Sequence, residues 1–251
     1  MRYHIFQGEV PGSVQRKGRA ASEKGAFFLV MNGNGNDDAT MRPKTILGVL
    51  GGLGPAASAD FLRLLARLAP AERDQDHPVV YMYSNPQIPD RSAAILGRGP
   101  SPEGDLKKGL LELCRWGAGL LAVPCNTAHF FIDRFRSELP VPLVHIVDAT
   151  VTRAMRASPR GAWLIATGGT MASGLYPKKA AELGYRFLEP GDDVKALVTD
   201  AIALVKAGRL PESGDVMKTI VARLRAAADL PVVGACTELP LAYDASGLPP
   251  E

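Results

Sequence analysis

From residue 44 onward the apolar and polar positions fall into two recurring patterns. Short, mainly apolar runs occur at 45–50, 79–83, 120–123, 143–146, 162–166 and 231–235. They read as strands buried on both faces, because a half-exposed strand would alternate. Between them, apolar residues recur at helical spacing over 57–69, 106–116, 127–139, 150–157, 177–183, 193–207 and 215–228, as in helices with one buried face. Strands alternating with helices predict an α/β fold of parallel sheets flanked by helices. In such sheets ligands gather beyond the carboxyl ends of the strands. The residues that follow each apolar run therefore carry the functional reading.

The first forty or so residues lack this periodicity and are rich in Gly, Ser and charge, with an Asn-Gly run from Asn32 to Asn36. The apolar patch at 26–31 follows basic residues, but it is shorter than the ~7–15 residues of a signal-peptide core and has no small-residue cleavage site after it. Residues 1–43 are expected to be a flexible extension, or to precede a translation start at Met31 or Met41. The remaining 44–148 and 149–241 are expected to form two lobes.

Composition narrows the class. Of 251 residues, 46% are hydrophobic and 22% charged, which suits a soluble globular protein and not a disordered one. The formal charge of +3 is too small and too scattered for a nucleic-acid footprint. No apolar run approaches the ~18 residues of a membrane span. Three cysteines in a chain of this length do not make a disulfide framework, so a reducing, cytoplasmic setting is expected.

After the first run comes Gly51-Gly52-Leu53-Gly54-Pro55-Ala56-Ala57, which read from Gly52 fits the dinucleotide pattern G-x-G-x-x-A. No acidic residue follows the second run to hold a ribose; Tyr83-Ser84-Asn85 stands there. A glycine turn whose N–H groups admit a small anion fits better than NAD binding, and a plain tight turn is the alternative. The third run ends at Pro124-Cys125-Asn126-Thr127-Ala128-His129, and the last at Cys236-Thr237-Glu238-Leu239-Pro240. In both places a thiol follows a buried strand and precedes polar residues. A helix N-terminus there is expected to lower the thiol pKa; a small buried hydrophobe is the bland alternative for each cysteine. Two such placements in equivalent units favour a shared site. Cys114, inside a helical run, reads as core packing. Cys125 and His129 are four apart, but no further ligand completes a metal set.

Two facing thiols suggest proton transfer. One, as thiolate, removes a proton from an acidic C–H, and the other, as thiol, protonates the opposite face. The carbanion between them needs N–H and hydroxyl groups around the adjoining carboxylate. A disulfide redox pair is the rival chemistry, but bonded sulfurs would leave no room for a substrate.

At these residues the chain resembles the aspartate/glutamate racemases, the cofactor-independent amino-acid racemases. The likeness is carried, in order, by Gly51-Gly52-Leu53-Gly54-Pro55, by Ser84 to Arg91, by Pro124 to His129, by Ala166-Thr167-Gly168-Gly169-Thr170, by Val205-Lys206-Ala207-Gly208 and by Cys236 to Pro240. It implies two pseudo-symmetric lobes with the site in the cleft between them, a homodimer, a small amino-acid substrate, and no cofactor or metal. It further implies Cys125 and Cys236 as the acid/base pair. Asn126, Thr127 and Thr237 would hold the α-carboxylate, Leu53 would line the site, and Arg91 and Lys206 would meet a distal carboxylate. Aspartate or glutamate is then the expected substrate. A solvated helix-end cation is the alternative for Lys206, and surface charge for Arg91. Members of the family usually continue with a strand and helix that return to the first lobe, so residues 242–251 are expected to turn back only briefly, with activity weakened. A dicarboxylate isomerase or decarboxylase, or a non-catalytic binder, are the competing readings.

Overall fold

The computed structural model describes residues 5–6 and 45–249. Strand β1 (Ile5–Phe6) lies at a sheet edge. Strands β2 (Leu47–Gly51), β3 (Val80–Ser84), β4 (Leu120–Ala122) and β5 (Leu143–Val144) form one parallel sheet in the order β3-β2-β4-β5. Strands β6 (Ala162–Ala166), β7 (Phe187–Leu188) and β8 (Val232–Ala235) form a second, in the order β7-β6-β8. There β1 pairs antiparallel with β8. The remainder of the expected extension falls outside the described residues.

Both lobes share one plan: the first strand sits centrally, the second on one side and the third on the other. That reversal of direction opens a crevice at the carboxyl ends of the first and third strands. In the first lobe these are β2 and β4, and in the second β6 and β8. The shared topology thus puts Cys125 and Cys236 at matching points.

Helices α1 (Pro55–Leu68), α2 (Arg91–Ile95), α3 (Glu103–Arg115) and α4 (His129–Ile132) belong to the first lobe. Leu50, Leu121 and Val123 pack with Leu106, Leu110 and Leu113 of α3 on one face of its sheet. Leu47, Val49, Leu120 and Ala122 pack with Phe61 of α1 on the other. Successive residues of a strand point to opposite faces, and both faces are covered, which is why the strands read as mainly apolar runs. Helix α5 (Ile146–Ala157) spans the expected lobe junction, and its buried face joins the second lobe's core. The second lobe adds α6 (Gly168–Ser173), α7 (Leu175–Glu182), α8 (Asp192–Lys206), α9 (Leu210–Ala227) and α10 (Leu239–Ser246). Residues 242–246, expected to turn back, belong to α10. Ala242 and Tyr243 join the core formed with α8 and α9, while Asp244 lies 3.8 Å from Arg63 of α1.

Several elements differ from the sequence expectation. The helix expected over 127–139 is the four-residue α4 followed by a 3₁₀ turn at Arg136–Glu138. The carbonyl of Cys125 accepts from the His129 ring, not from a helical N–H, so the helix starts only after the cysteine turn. Strand β3 is an edge strand and half-exposed, with Tyr81 and Tyr83 against the Trp116 ring. Helices α2, α6 and α10 are short and irregular in sequence, so periodicity did not mark them. None of the described helices is long and apolar enough to cross a membrane.

The lobes meet closely where α6 crosses α2. A Cβ on Gly169 would lie 2.5 Å from the Cα of Ser92, and backbone cannot yield as a side-chain tip can. Gly169→Ala is expected to destabilise the fold by about 1–3 kcal/mol. Gly168→Ala, whose Cβ would meet nothing within 4 Å, is the control. Urea midpoints measure both, and equal midpoints would refute this account of the junction.

Candidate active site

All the site residues implied by the resemblance converge on one cleft between the lobes. It is lined by Leu53, Arg91, Cys125, Asn126, Thr127, Lys206, Cys236 and Thr237, together with Asp90, Ser92, Thr167 and Glu238. Its free volume is about 20 Å³, room for about one water molecule.

Cys125 follows β4 on a tight turn, with its N–H donating to the Val123 carbonyl at 2.8 Å. His129 Nδ1 meets the Cys125 carbonyl at 2.8 Å, and its Nε2 accepts from the Ile146 N–H at 3.4 Å. These two bonds require the neutral ring protonated on Nδ1. Burial and the neighbouring His145 push the His129 pKa down to about 3. His129 is therefore a brace for the cysteine turn. Among the described residues no group of three or more His, Cys, Asp or Glu gathers as a metal cluster.

Cys236 follows β8. Its Sγ–H donates to Glu238 Oε2 at 3.0 Å, and Thr237 Oγ1 donates to the Pro124 carbonyl at 3.2 Å, across the lobe boundary. The turn closes as the Leu239 N–H meets the Cys236 carbonyl at 3.1 Å. Pro240 then sits in the first turn of α10, where a missing N–H costs nothing. All three cysteines are free.

The expected lowering of the thiol pKa values is not what the surroundings produce. Burial pushes the Cys125 thiol up; the Arg91 cation works against that push and Glu238 adds to it. Burial, then the Glu238 carboxylate, push Cys236 well up, with Lys206 opposing. The four-residue α4 begins beyond Cys125, so there is no long helix end to offset desolvation. Both thiols rest protonated, in unlike surroundings: a guanidinium beside Cys125 and a carboxylate beside Cys236.

The polar groups around Cys125 tie the lobes together. Thr127 Oγ1 lies 2.7 Å from Thr170 Oγ1 and 3.2 Å from Thr167 Oγ1, and Ser92 Oγ donates to Thr167 Oγ1 at 3.2 Å. The buried Tyr176 hydroxyl donates to Asn126 Oδ1. Arg91 donates from Nη1 to the carbonyls of Ile88 and Pro89, both at 3.1 Å, and from Nη2 to that of Leu53 at 3.0 Å. Arg91 is thus a clamp on main chain and not the surface charge its loop position suggested. Lys206 ends α8, is exposed, and stands at the cleft with no acidic partner among the described residues.

The glycine turn also differs from expectation. The Gly52 N–H donates to Ser58 Oγ at 2.8 Å, so it is not free for an external anion. At φ +85°, a side chain on Gly52 would also strike the Asn85 backbone 2.5 Å away. Sequence reasoning passed over Glu238, Ser92, Thr167, Thr170 and Tyr176 as site residues. Glu238 had a usable signal, as an acid two residues after a strand-end cysteine and directly before the apolar Leu239.

Comparison with known proteins agrees with this architecture. The Asp/Glu/hydantoin racemase family profile matches residues 50–248. The broad specificity amino-acid racemase RacX of Bacillus subtilis is 27% identical over 208 residues, which is 79% of this chain and 88% of RacX. The solved aspartate racemase of Picrophilus torridus superposes with a TM-score of 0.71 at 26% identity, over 82% of this chain and 87% of that one. An aspartate racemase homologue from Pyrococcus horikoshii shares the fold at a TM-score of 0.63 and 24% identity, over 79% and 88% of the two chains. With two pseudo-symmetric α/β lobes and a match running from β2 to beyond α10, the chain belongs to the Asp/Glu/hydantoin racemase family, as an amino-acid racemase and hence an isomerase.

Proposed function

We propose that the chain racemises an acidic amino acid without a cofactor, with Cys125 and Cys236 as the acid/base pair on opposite faces of Cα. The observation that carries this reading is that two free thiols, one from each lobe and at equivalent strand ends, line a single cleft. One thiol must first lose its proton; as thiolate it takes the Cα proton, and the other thiol delivers its own proton to the opposite face. Hydroxyl and amide groups of Asn126, Thr127 and Thr237 receive the α-carboxylate, whose conjugation carries the carbanion charge. The free volume is far too small for an amino acid, so the lobes part to admit substrate and their closure expels water from the reacting atoms. Arg91, fastened to main chain, shapes the floor, and Lys206 is the cation left to meet a distal carboxylate. Names among the relatives support the substrate class: one is an aspartate racemase and another a broad specificity amino-acid racemase.

The test is solvent deuterium wash-in at Cα with L-aspartate, L-glutamate and a panel of neutral amino acids, without pyridoxal phosphate. Exchange with the D-enantiomer appearing is the expected outcome. Lys206→Ala is expected to raise KM for the acidic substrate roughly tenfold, the effect of about 1.4 kcal/mol of lost charge pairing, and to leave neutral substrates unchanged. Exchange confined to neutral amino acids would remove Lys206 from its role, and folded protein without exchange on any of them would sink the racemase mechanism.

A further inference from the structure

Asn126 lines the cleft with the two ends of its amide in unlike surroundings. Its Oδ1 accepts from the Tyr176 hydroxyl, while its Nδ2 donates to none of the described residues. Both residues are buried. An amide can turn end for end, and its ends offer opposite chemistry, since the oxygen accepts and the nitrogen donates. A substrate α-carboxylate only accepts hydrogen bonds, so it is served by one orientation and repelled by the other. What selects between them is a donor on the oxygen, and Tyr176 is that donor. Thr127 has no such need. Its hydroxyl lies between those of Thr167 and Thr170, and a hydroxyl proton rotates to suit its neighbours.

Tyr176 is set by the second lobe. It is the second residue of α7, which follows Gly174, whose φ of +67° turns the chain sharply after α6. Its ring packs in one core with Leu164, Ala180 and Tyr185 and meets the Phe187 ring of β7 edge to face at 6.0 Å. A phenol buried in this way needs a hydrogen-bond partner for its hydroxyl, and it finds one across the lobe junction. Asn126 sits on the turn after β4 of the first lobe, where its carbonyl accepts from the His129 N–H at 3.1 Å. The amide is carried by one lobe and aimed by the other.

We propose that Tyr176 is a positioning residue for the substrate: by holding Asn126 Oδ1 it turns the Asn126 NH₂ group toward the α-carboxylate. The inference rests on the reading of Asn126 as a carboxylate ligand given above. Tyr176 does not touch the substrate. It acts on the group common to every α-amino acid, so it serves acidic and neutral substrates alike, and the choice between them falls to Lys206. Because the hydroxyl belongs to the second lobe and the amide to the first, the receptor is complete only when the lobes are together. Parting them withdraws the tyrosine and frees the amide to turn, which loosens the grip on the product carboxylate.

Tyr176→Phe removes the hydroxyl and keeps the ring in its core. Calorimetric binding of racemic aspartate, glutamate and alanine reads the effect without relying on turnover. The dissociation constants are expected to rise roughly tenfold, the worth of about one hydrogen bond, and by the same factor for each amino acid that the wild type binds. In an Asn126→Ala background the same substitution is expected to change them by less than about twofold, because no amide is left to aim. Urea midpoints check that the variants fold. In wild-type protein the NMR signals of the Asn126 side-chain NH₂, assigned by their loss in Asn126→Ala, are expected to shift when racemic substrate is added, a readout that does not depend on the tyrosine variant folding. Equal losses in both backgrounds, a rise confined to the acidic substrates, a lowered midpoint with unchanged dissociation constants, or unmoved Asn126 signals would each overturn the proposal alone. Asn126→Ala binding as tightly as wild type, or wild-type protein binding none of the amino acids, would overturn it together with the proposed function.

Discussion

Cys125→Ser and Cys236→Ser are each expected to lower kcat/KM for racemisation on the order of 10²–10⁴-fold, the usual worth of a positioned acid or base. Serine occupies nearly the same space, so the buried turns after β4 and β8 keep their main-chain bonds. A hydroxyl is a far weaker acid than a thiol, however, and the same burial that pushes both thiols up would disfavour an alkoxide still more. On the two-thiol proposal the double variant is expected to lose little more than either single one, because the two groups would serve one inversion and each would be needed in every turnover. Racemisation assayed by circular dichroism, with urea midpoints for stability, measures both parts. Retention of activity within about tenfold of wild type by either single variant would remove that cysteine from the proton path.

Arg91→Lys carries the second largest expected effect, and it has two parts. Lysine keeps the charge but lacks the planar fork that reaches the carbonyls of Leu53, Ile88 and Pro89 together. Each carbonyl left without its donor in this half-buried loop costs about 1–3 kcal/mol, so the thermal midpoint falls. The guanidinium also works against the burial that raises the Cys125 thiol. Weakening it raises that thiol further, so less thiolate forms at a given pH. The rising limb of the kcat/KM pH profile therefore moves to higher pH, and kcat/KM at neutral pH falls on the order of 10²-fold. A lowered midpoint with an unmoved pH profile would make Arg91 a structural clamp alone.

Part of the site was open to inspection in one dimension. The cysteines stood out because each followed a mainly apolar run, and that run is the mark of a strand buried on both faces. Arg91 and Lys206 entered through the resemblance, and both line the cleft. The direction of the thiol pKa shifts did not follow, because it depends on how deeply each sulfur is buried and on which charge stands beside it. The helix expected over 127–139 was shortened by a side-chain bond from His129 that periodicity does not register. The glycine turn suggested an outside anion, yet the Gly52 N–H is taken by Ser58, and Glu238 stands against Gly54.

The sequence by itself determined the α/β class, the alternation of buried strands with helices and the equivalence of the two cysteine turns. Those follow from local periodicity and from the rule that parallel strands deliver function at their carboxyl ends. Tertiary structure decided what faces what: that Thr127 meets Thr167 and Thr170, that Arg91 grips three carbonyls, and that Glu238 lies between Cys236 and Gly54. Thr127 with Thr167 and Thr170, and Gly54 with Glu238, join residues far apart in the chain and meet only when the two lobes close on one another. The Arg91 and Cys236 contacts depend on the loop and turn that follow their strands. Local pattern reports which face of an element is buried; only the packing of one lobe on the other sets which charge a buried thiol meets.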